Sequence, residues 1–318
     1  MFNILVLLPL DDEKKLKLNS IAADCKIVYS SQEKVTKKEL EDANIIIGNP
    51  DVDIIRYSNN LKWIQLNSAG ADKYIKEGVL NKDVILTNAT GAYGLAVSEH
   101  MLAMLLELLK KLHLYRDNQN KKIWKSEGKV KSINKSRILI VGLGDIGCSF
   151  GKMVKSLGAY TIGVKRRNTL KPEFIDELHL IDNLDELLPS ADIVAICLPS
   201  TKDTQDLFSK SKIEKMKKGS ILLNVGRGNT VDTESLCDAL ENNHLGGAGL
   251  DVIDPEPLPS EHRIWDLENI VITPHVAGGY NLDETYENIF EISINNLERF
   301  INGKKLCNIV DFSTGYVE

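Results

Sequence analysis

The sequence has no paired cysteines. Cys25, Cys148, Cys197, Cys237 and Cys307 are scattered, odd in number and form no CxxC motif. That argues against a disulfide framework and a zinc site, and it fits reduced thiols in a cytoplasmic protein. Cys148 and Cys197 sit in apolar runs and read as small core residues. No run suits a membrane either. Residues 2–9 have no basic residue before them and are followed by Asp11, Asp12 and Glu13, the reverse of a signal peptide's charge order. Residues 101–109 carry Glu107 and run into Lys110 and Lys111, too short and too charged to span a bilayer. There is no excess of positive charge. The net charge of -6 provides no general field for nucleic acid or an anionic membrane surface. Short repeats and low-complexity tracts are missing too. What is present is an ordinary globular composition, 43% hydrophobic and 26% charged. At 318 residues the chain is long for one core, and two domains are expected.

Short apolar runs alternate with helix formers in the first part of the chain. Residues 3–8 (NILVLL), 44–48 (NIIIG), 63–66 (WIQL) and 84–87 (VILT) read as buried strands, and residues 36–43 (TKKELEDA) as a helix between two of them. This alternation predicts a parallel sheet covered on both faces. Val97, Met101, Met104, Leu105, Leu108 and Leu112 recur at three- and four-residue steps, predicting an amphipathic helix over 97–112. Residues 117–134 are polar, contain Gly128 and read as an extended loop. A second α/β series begins at Arg137, with strands expected at 138–141, 162–165, 192–198, 220–225, 249–252 and 270–273. A last helix is expected over 283–301, ending near Gly303.

Residues 138–147 read ILIVGLGDIG. Gly142, Gly144 and Gly147 form G-x-G-x-x-G directly after a strand and opening a helix. The first glycine allows a tight turn, the second lets the backbone approach a pyrophosphate, and the third lets helix and strand pack closely. Gly144, Asp145, Ile146 and Gly147 would then offer the phosphates a helix N-terminus. The next strand should end in an acidic residue for the ribose 2′-hydroxyl of NAD. It ends instead in Lys165, Arg166 and Arg167, cations suited to a 2′-phosphate. NADP(H) is therefore the preferred cofactor, with NAD(H) as the alternative.

Three further motifs lie beyond this loop: NVGRG at 224–228, GLDVIDPEP at 249–257 and TPHVAG at 273–278. In this order the sequence resembles the D-isomer-specific 2-hydroxyacid dehydrogenase family over nearly its whole length. The resemblance implies catalytic roles for Arg227, Glu256 and His275, and the chemistry of 2-oxo acid reduction supports them. An arginine can hold the substrate carboxylate and polarise the carbonyl. A histidine can give the carbonyl oxygen its proton in reduction and take it back in oxidation. A glutamate beside it can orient the imidazole. The resemblance also assigns the backbone of Ser68, Ala69 and Gly70, within NSAGAD, to the substrate carboxylate. It assigns Asp251 to the nicotinamide amide, Pro199 and Thr204 to the adenosine end, and residues 117–134 with Trp124 to a dimerisation arm.

The expectation is an α/β protein of two doubly wound parallel-sheet domains, a Rossmann-type cofactor domain inserted into a flavodoxin-like substrate domain. Residues 1–98 plus 283–318 would bind substrate and 99–282 the dinucleotide, with the active site in the cleft between them. The implied activity is hydride transfer between NAD(P)H and a small 2-oxo acid, giving the D-2-hydroxy acid, in a cytoplasmic homodimer. No metal, nucleic acid or membrane partner is expected. Two rivals keep the same fold: an NAD(P)-sensing corepressor-like binding protein, and an NAD-linked phosphoglycerate dehydrogenase, for which Lys73 and Lys76 follow the NSAGAD loop.

Overall fold

The computed structural model describes residues 1–317. The chain forms two compact units, Met1–Tyr93 with Gly279–Glu318, and Gly94–Gly278.

The first unit is built on β1 (Asn3–Val6), β2 (Lys26–Tyr29), β3 (Ile45–Ile47), β4 (Trp63–Gln65) and β5 (Ile85–Thr87). They pair in the order β2-β1-β3-β4-β5, all parallel. This is the flavodoxin-like winding. The central strand β3 is three isoleucines, all fully buried, because a parallel strand covered on both faces has no solvent side. On one face Ile4, Val6, Ile45, Ile47 and Trp63 pack with Ile289, Phe290, Ile294 and Leu297 of the helix Asp283–Ile301. On the other, Leu5, Leu7, Ile46, Ile64 and Leu66 pack with Leu40, Ile55 and Tyr74.

The second unit carries β6 (Arg137–Val141), β7 (Tyr160–Lys165), β8 (Glu177–Leu180), β9 (Ile193–Ile196), β10 (Ile221–Asn224), β11 (Gly247–Leu250) and β12 (Ile270–Ile272). Their order is β12-β11-β10-β9-β6-β7-β8, parallel throughout. The winding reverses between β6 and β9, as in a Rossmann sheet. Leu139, Val141, Ile162, Val194, Ile196 and Leu222 anchor one large apolar cluster. The helix Gly94–Lys110 packs against β10 and β11, close enough that a Cβ on Gly249 would lie 3.2 Å from Met104 Cβ.

The units divide at 93/94 and 278/279, whereas the sequence suggests 98/99 and 282/283. The helix predicted to start at Val97 starts at Gly94, which abuts Asp145 and Ser149 of the helix Asp145–Ser156. The return crossing comes early because Val276 and Ala277 donate to Asp251, while Tyr280 accepts from Asn67 of the first unit. Two strands, β2 and β8, were not anticipated. The expected loop at 117–134 is corrected at its start only, since residues 121–134 carry no helix or strand. Lys111 takes a left-handed conformation (φ 59°), breaking the long helix, and a further helix runs over Leu112–Asn120. Among the described residues, no helix is long and apolar enough to cross a membrane.

Candidate active site

In the second unit the sequence-predicted residues lie along the carboxyl ends of adjacent strands. In an open α/β sheet that edge is where ligands bind, around the point where the winding reverses. The glycine loop leaves β6, the cation cluster ends β7, and residues 199–204 follow β9. Arg227 follows β10, Asp251 and Glu256 follow β11, and His275 follows β12. From β7 to β11 is four strand spacings, about 19 Å.

The glycine loop fits a dinucleotide. Gly142 has φ +100°, and a Cβ there would lie 2.8 Å from the Cys197 carbonyl oxygen. A Cβ on Gly147 would lie 1.9 Å from the Gly142 oxygen, so helix and turn touch through backbone alone. Gly144 differs: nothing lies within 4 Å of where its Cβ would be, leaving open space for an incoming group. Gly144 caps the helix with no side-chain hydrogen bond. Among the described residues, the N–H groups of Asp145, Ile146 and Gly147 donate to no group of the chain. Unpaired N–H groups at the positive end of a twelve-residue helix suit a pyrophosphate. The loop is tied to β7 through Gly142 N–H, which donates to Val164 O at 3.0 Å. Lys165, half-buried, and exposed Arg166 and Arg167 follow at once. After β9 the loop braces itself, Thr204 Oγ1 donating to Pro199 O at 2.7 Å.

The catalytic candidates sit on three neighbouring loops. Asn224 at the end of β10 is 1% exposed. It accepts from Gly226 N–H (3.1 Å) through Oδ1 and donates to Arg227 O (3.0 Å) through Nδ2. That clamp fixes the Arg227 backbone, and Arg227 Nη1 donates to Gly226 O at 2.8 Å. Gly228 is pressed against the next loop, a Cβ there falling 2.1 Å from Ile253 C. Glu256 turns back on that loop, with Oε1 accepting from Ile253 N–H at 3.1 Å. Its Oε2 lies 3.0 Å from His275 Nδ1. His275 is half-exposed, and among the described residues its Nε2 has no partner. His275 also has φ +55°, uncommon for a side-chain-bearing residue. Its N–H is held by Asp251 O (2.8 Å) and Thr273 O (3.0 Å).

The Asp251 carboxylate, assigned from sequence to the nicotinamide amide, is 3% exposed. It accepts from Thr273 Oγ1 (2.6 Å), Val276 N–H (2.9 Å) and Ala277 N–H (3.1 Å), so it underpins the turn that carries His275. Two residues that the sequence analysis gave no role support Asp251: Thr273, quoted only as the first residue of TPHVAG, and His100. His100 Nε2 lies 2.9 Å from Thr273 Oγ1 and 3.8 Å from Asp251 Oδ1. No local pattern marks a histidine 173 residues away from its hydroxyl partner.

In the first unit, Ser68, Ala69 and Gly70 form a turn just beyond β4. Ser68 Oγ donates to Gly70 O (2.7 Å) and accepts from Asn49 Nδ2 (3.0 Å), so this hydroxyl braces the loop. Among the described residues, the backbone N–H groups of Ser68, Ala69 and Gly70 donate to nothing in the chain.

Comparison with known proteins bears on this geometry. Residues 102–277 match the family model for the D-isomer specific 2-hydroxyacid dehydrogenase, NAD binding domain. The chain belongs to the D-isomer specific 2-hydroxyacid dehydrogenase family. It is therefore an oxidoreductase with an NAD-binding domain and the family's NAD(P)-linked 2-hydroxyacid dehydrogenase activity. A glyoxylate reductase of Thermofilum pendens is 31% identical over 266 residues, covering 80% of this chain and 76% of the relative. The crystal structure of a D-isomer specific 2-hydroxyacid dehydrogenase family protein from Aeromonas salmonicida superposes with TM-score 0.85 at 30% identity, covering 98% of this chain and 99% of that one. The fold is shared also with an NADPH-dependent glyoxylate/hydroxypyruvate reductase from Sinorhizobium meliloti, solved with NADP and sulfate (TM-score 0.84, 24% identity, 99% and 100% coverage). In this dehydrogenase the matched segment starts within the helix Gly94–Lys110 and ends two residues past His275, spanning every catalytic candidate of the second unit.

Proposed function

We propose that this dehydrogenase reduces a small 2-oxo acid to the D-2-hydroxy acid with NADPH, and that His275 is its general acid and base. The observation that carries the reading is the 3.0 Å contact between His275 Nδ1 and Glu256 Oε2. With Nδ1–H donating to the carboxylate, Nε2 is left to exchange a proton. Arg227, on the adjacent loop, holds the substrate carboxylate and polarises the carbonyl. The N–H groups of Ser68, Ala69 and Gly70 provide further donors for the carboxylate. When bound, the reduced nicotinamide supplies the hydride. Gly144, Asp145, Ile146 and Gly147 would hold its pyrophosphate, Pro199 and Thr204 would line its adenosine end, and Asp251, which holds the His275 turn, would receive its amide. NADPH is preferred because Lys165, which ends β7, is followed by Arg166 and Arg167, cations that attract a 2′-phosphate, with no acidic residue there to repel it.

A homodimer through the segment after residue 120 belongs to the same proposal. Trp124 is fully exposed, and Ile123 and Val130 of the same segment are about half-exposed. Such apolar side chains on a polar arm suit a protein interface.

The test is oxidation of NADPH, and separately NADH, against glyoxylate, hydroxypyruvate, pyruvate, 2-oxoisocaproate and phosphohydroxypyruvate. Glyoxylate leads the panel because a relative bears that substrate in its name. Turnover favouring NADPH supports the reading, and turnover favouring NADH sinks the cofactor assignment. Tight cofactor binding without turnover on any acid turns the assignment toward the sensing protein. Sedimentation velocity at micromolar protein checks the dimer, which a purely monomeric profile would rule out.

A further inference from the structure

Three carbonyls of the turn at residues 67–70 are held by one short segment of the same unit, residues 88–93. Asn67 O accepts from the Tyr93 hydroxyl. Ser68 O accepts from Ala89 N–H at 3.0 Å. Ala69 O accepts from Asn88 Nδ2 at 2.6 Å. Three successive carbonyls thus face one segment. A trans peptide is planar, with its N–H opposed to its C=O. Pinning the carbonyls of Asn67, Ser68 and Ala69 on one side therefore sends the N–H groups of Ser68, Ala69 and Gly70 to the other. Those three N–H groups, among the described residues, have no partner in the chain. Successive N–H groups pointing one way make a concave anion site.

We propose that Tyr93 and Asn88 are positioning residues for the substrate carboxylate. Neither touches the anion. Each fixes a peptide plane so that the donors are aimed before the anion arrives, which removes the cost of ordering them on binding. The anchors are themselves secured. Asn88 Oδ1 accepts from Thr90 N–H at 3.1 Å, and Asn308 Nδ2 donates to Thr90 O at 2.7 Å. Burial pushes the Tyr93 phenol well above its ordinary range, so it remains a protonated donor at any working pH. At the turn's other edge Asn67 N–H donates to Asn49 Oδ1 at 2.7 Å, closing the frame.

This inference rests on the reading of the turn as the carboxylate site, so the experiment separates the two. Oxamate, a carboxylate analogue of a 2-oxo acid, is titrated into the NADPH-loaded protein, following heat and the amide resonances of Ser68, Ala69 and Gly70. In the wild type all three amides should move. Tyr93→Phe, which removes only a hydroxyl, should weaken oxamate about tenfold, roughly the effect of losing one hydrogen bond. The glyoxylate KM should rise by a similar factor with kcat changed less than about threefold and NADPH affinity unchanged. Asn88→Ala should act in the same direction. A merely structural role would instead lower thermal stability without splitting KM from kcat. Wild-type oxamate affinity in Tyr93→Phe would overturn the anchoring role while leaving the turn as the carboxylate site. Wild-type protein that binds no oxamate, or binds it without moving those amides, would overturn both.

Discussion

His275 and Glu256 meet at 3.0 Å with both side chains partly open to solvent. In such a pair the imidazole transfers the proton, while the carboxylate sets the ring's tautomer and direction. The two substitutions should therefore differ in degree. His275→Ala should cut kcat by about 10²–10⁴-fold, the usual worth of a positioned acid or base. Glu256→Gln keeps a hydrogen-bonding oxygen and loses the charge, so its loss should be smaller, on the order of 10–100-fold. NADPH affinity, measured by fluorescence titration, should be unchanged in both. Turnover unaffected by His275→Ala would remove it from the chemistry. Arg166 and Arg167 follow β7, at the other end of the sheet edge. Replacing both with Ala should raise the NADPH KM about 10–100-fold, as expected for losing charge-assisted bonds to a phosphate. The NADH KM should change little, and an equal loss with both cofactors would show that these arginines do not read the 2′-phosphate.

At the scale of elements, β8 shows how a strand can be held by polar groups. It is an edge strand with one neighbour, β7. Asp176, the residue just before β8, accepts from Lys155 Nζ at 2.6 and 2.7 Å and from Thr161 N–H at 2.8 Å. Burial alone would raise its pKa, yet Lys155 and Thr161 outweigh that and hold the carboxyl below the ordinary Asp value. A depressed folded pKa means stabilisation that is complete above the unfolded-state pKa and lost as pH falls through the folded one. Asp176→Asn should therefore lower stability by about 1–2 kcal/mol at neutral pH, the exposure of the pair limiting the effect. Urea unfolding should show that gap constant from about pH 8 to 5 and closing below about pH 4. A gap equally large at pH 3 would mean that the charge is not what holds the strand.

The same element explains what could be read in advance. Central strands were legible because burial on both faces demands unbroken apolar runs, as in Ile45–Ile47 and residues 138–141. The edge strands β2 (KIVY) and β8 (ELHL) were not, since each has one pairing neighbour and mixes polar with apolar side chains. Gly142, Gly144 and Gly147 were legible because their spacing is a local backbone requirement. Arg227, Glu256 and His275 stood out as ordered motifs just past strand ends. The contacts of Tyr93, Asn88 and His100, and the role of Thr273 within its quoted motif, were not legible, because each depends on a partner that is distant along the chain and only the fold supplies it.

At the scale of the whole molecule, the first unit is assembled from both ends of the chain, whereas the second is continuous. The large cluster in the second unit draws only on residues within 94–278. One face of the first sheet, by contrast, is covered by Ile289, Phe290, Ile294, Leu297 and Leu306 from the C-terminal segment. Those side chains, at about 1.5–3 kcal/mol each, contribute roughly 10 kcal/mol, comparable with the entire stability of a domain. A buried polar network adds to the dependence. Asn296, 1% exposed, donates to Gln65 Oε1 (2.8 Å) and to Cys307 O (3.0 Å), while Trp63 Nε1 donates to Thr87 Oγ1 at 2.8 Å. Deleting the segment would leave Gln65 Oε1 with Thr87 Oγ1 as its remaining donor, and an apolar sheet face in water. A chain ended after Gly278 should therefore lose the fold of its first unit and keep that of the second. It should bind NADPH with near wild-type affinity, show no turnover of any 2-oxo acid, and become sensitive to protease within residues 1–93. A truncated protein that still reduces glyoxylate would mean that residues 1–93 fold without the C-terminal helix, and that its apolar contacts count for far less than their buried area implies.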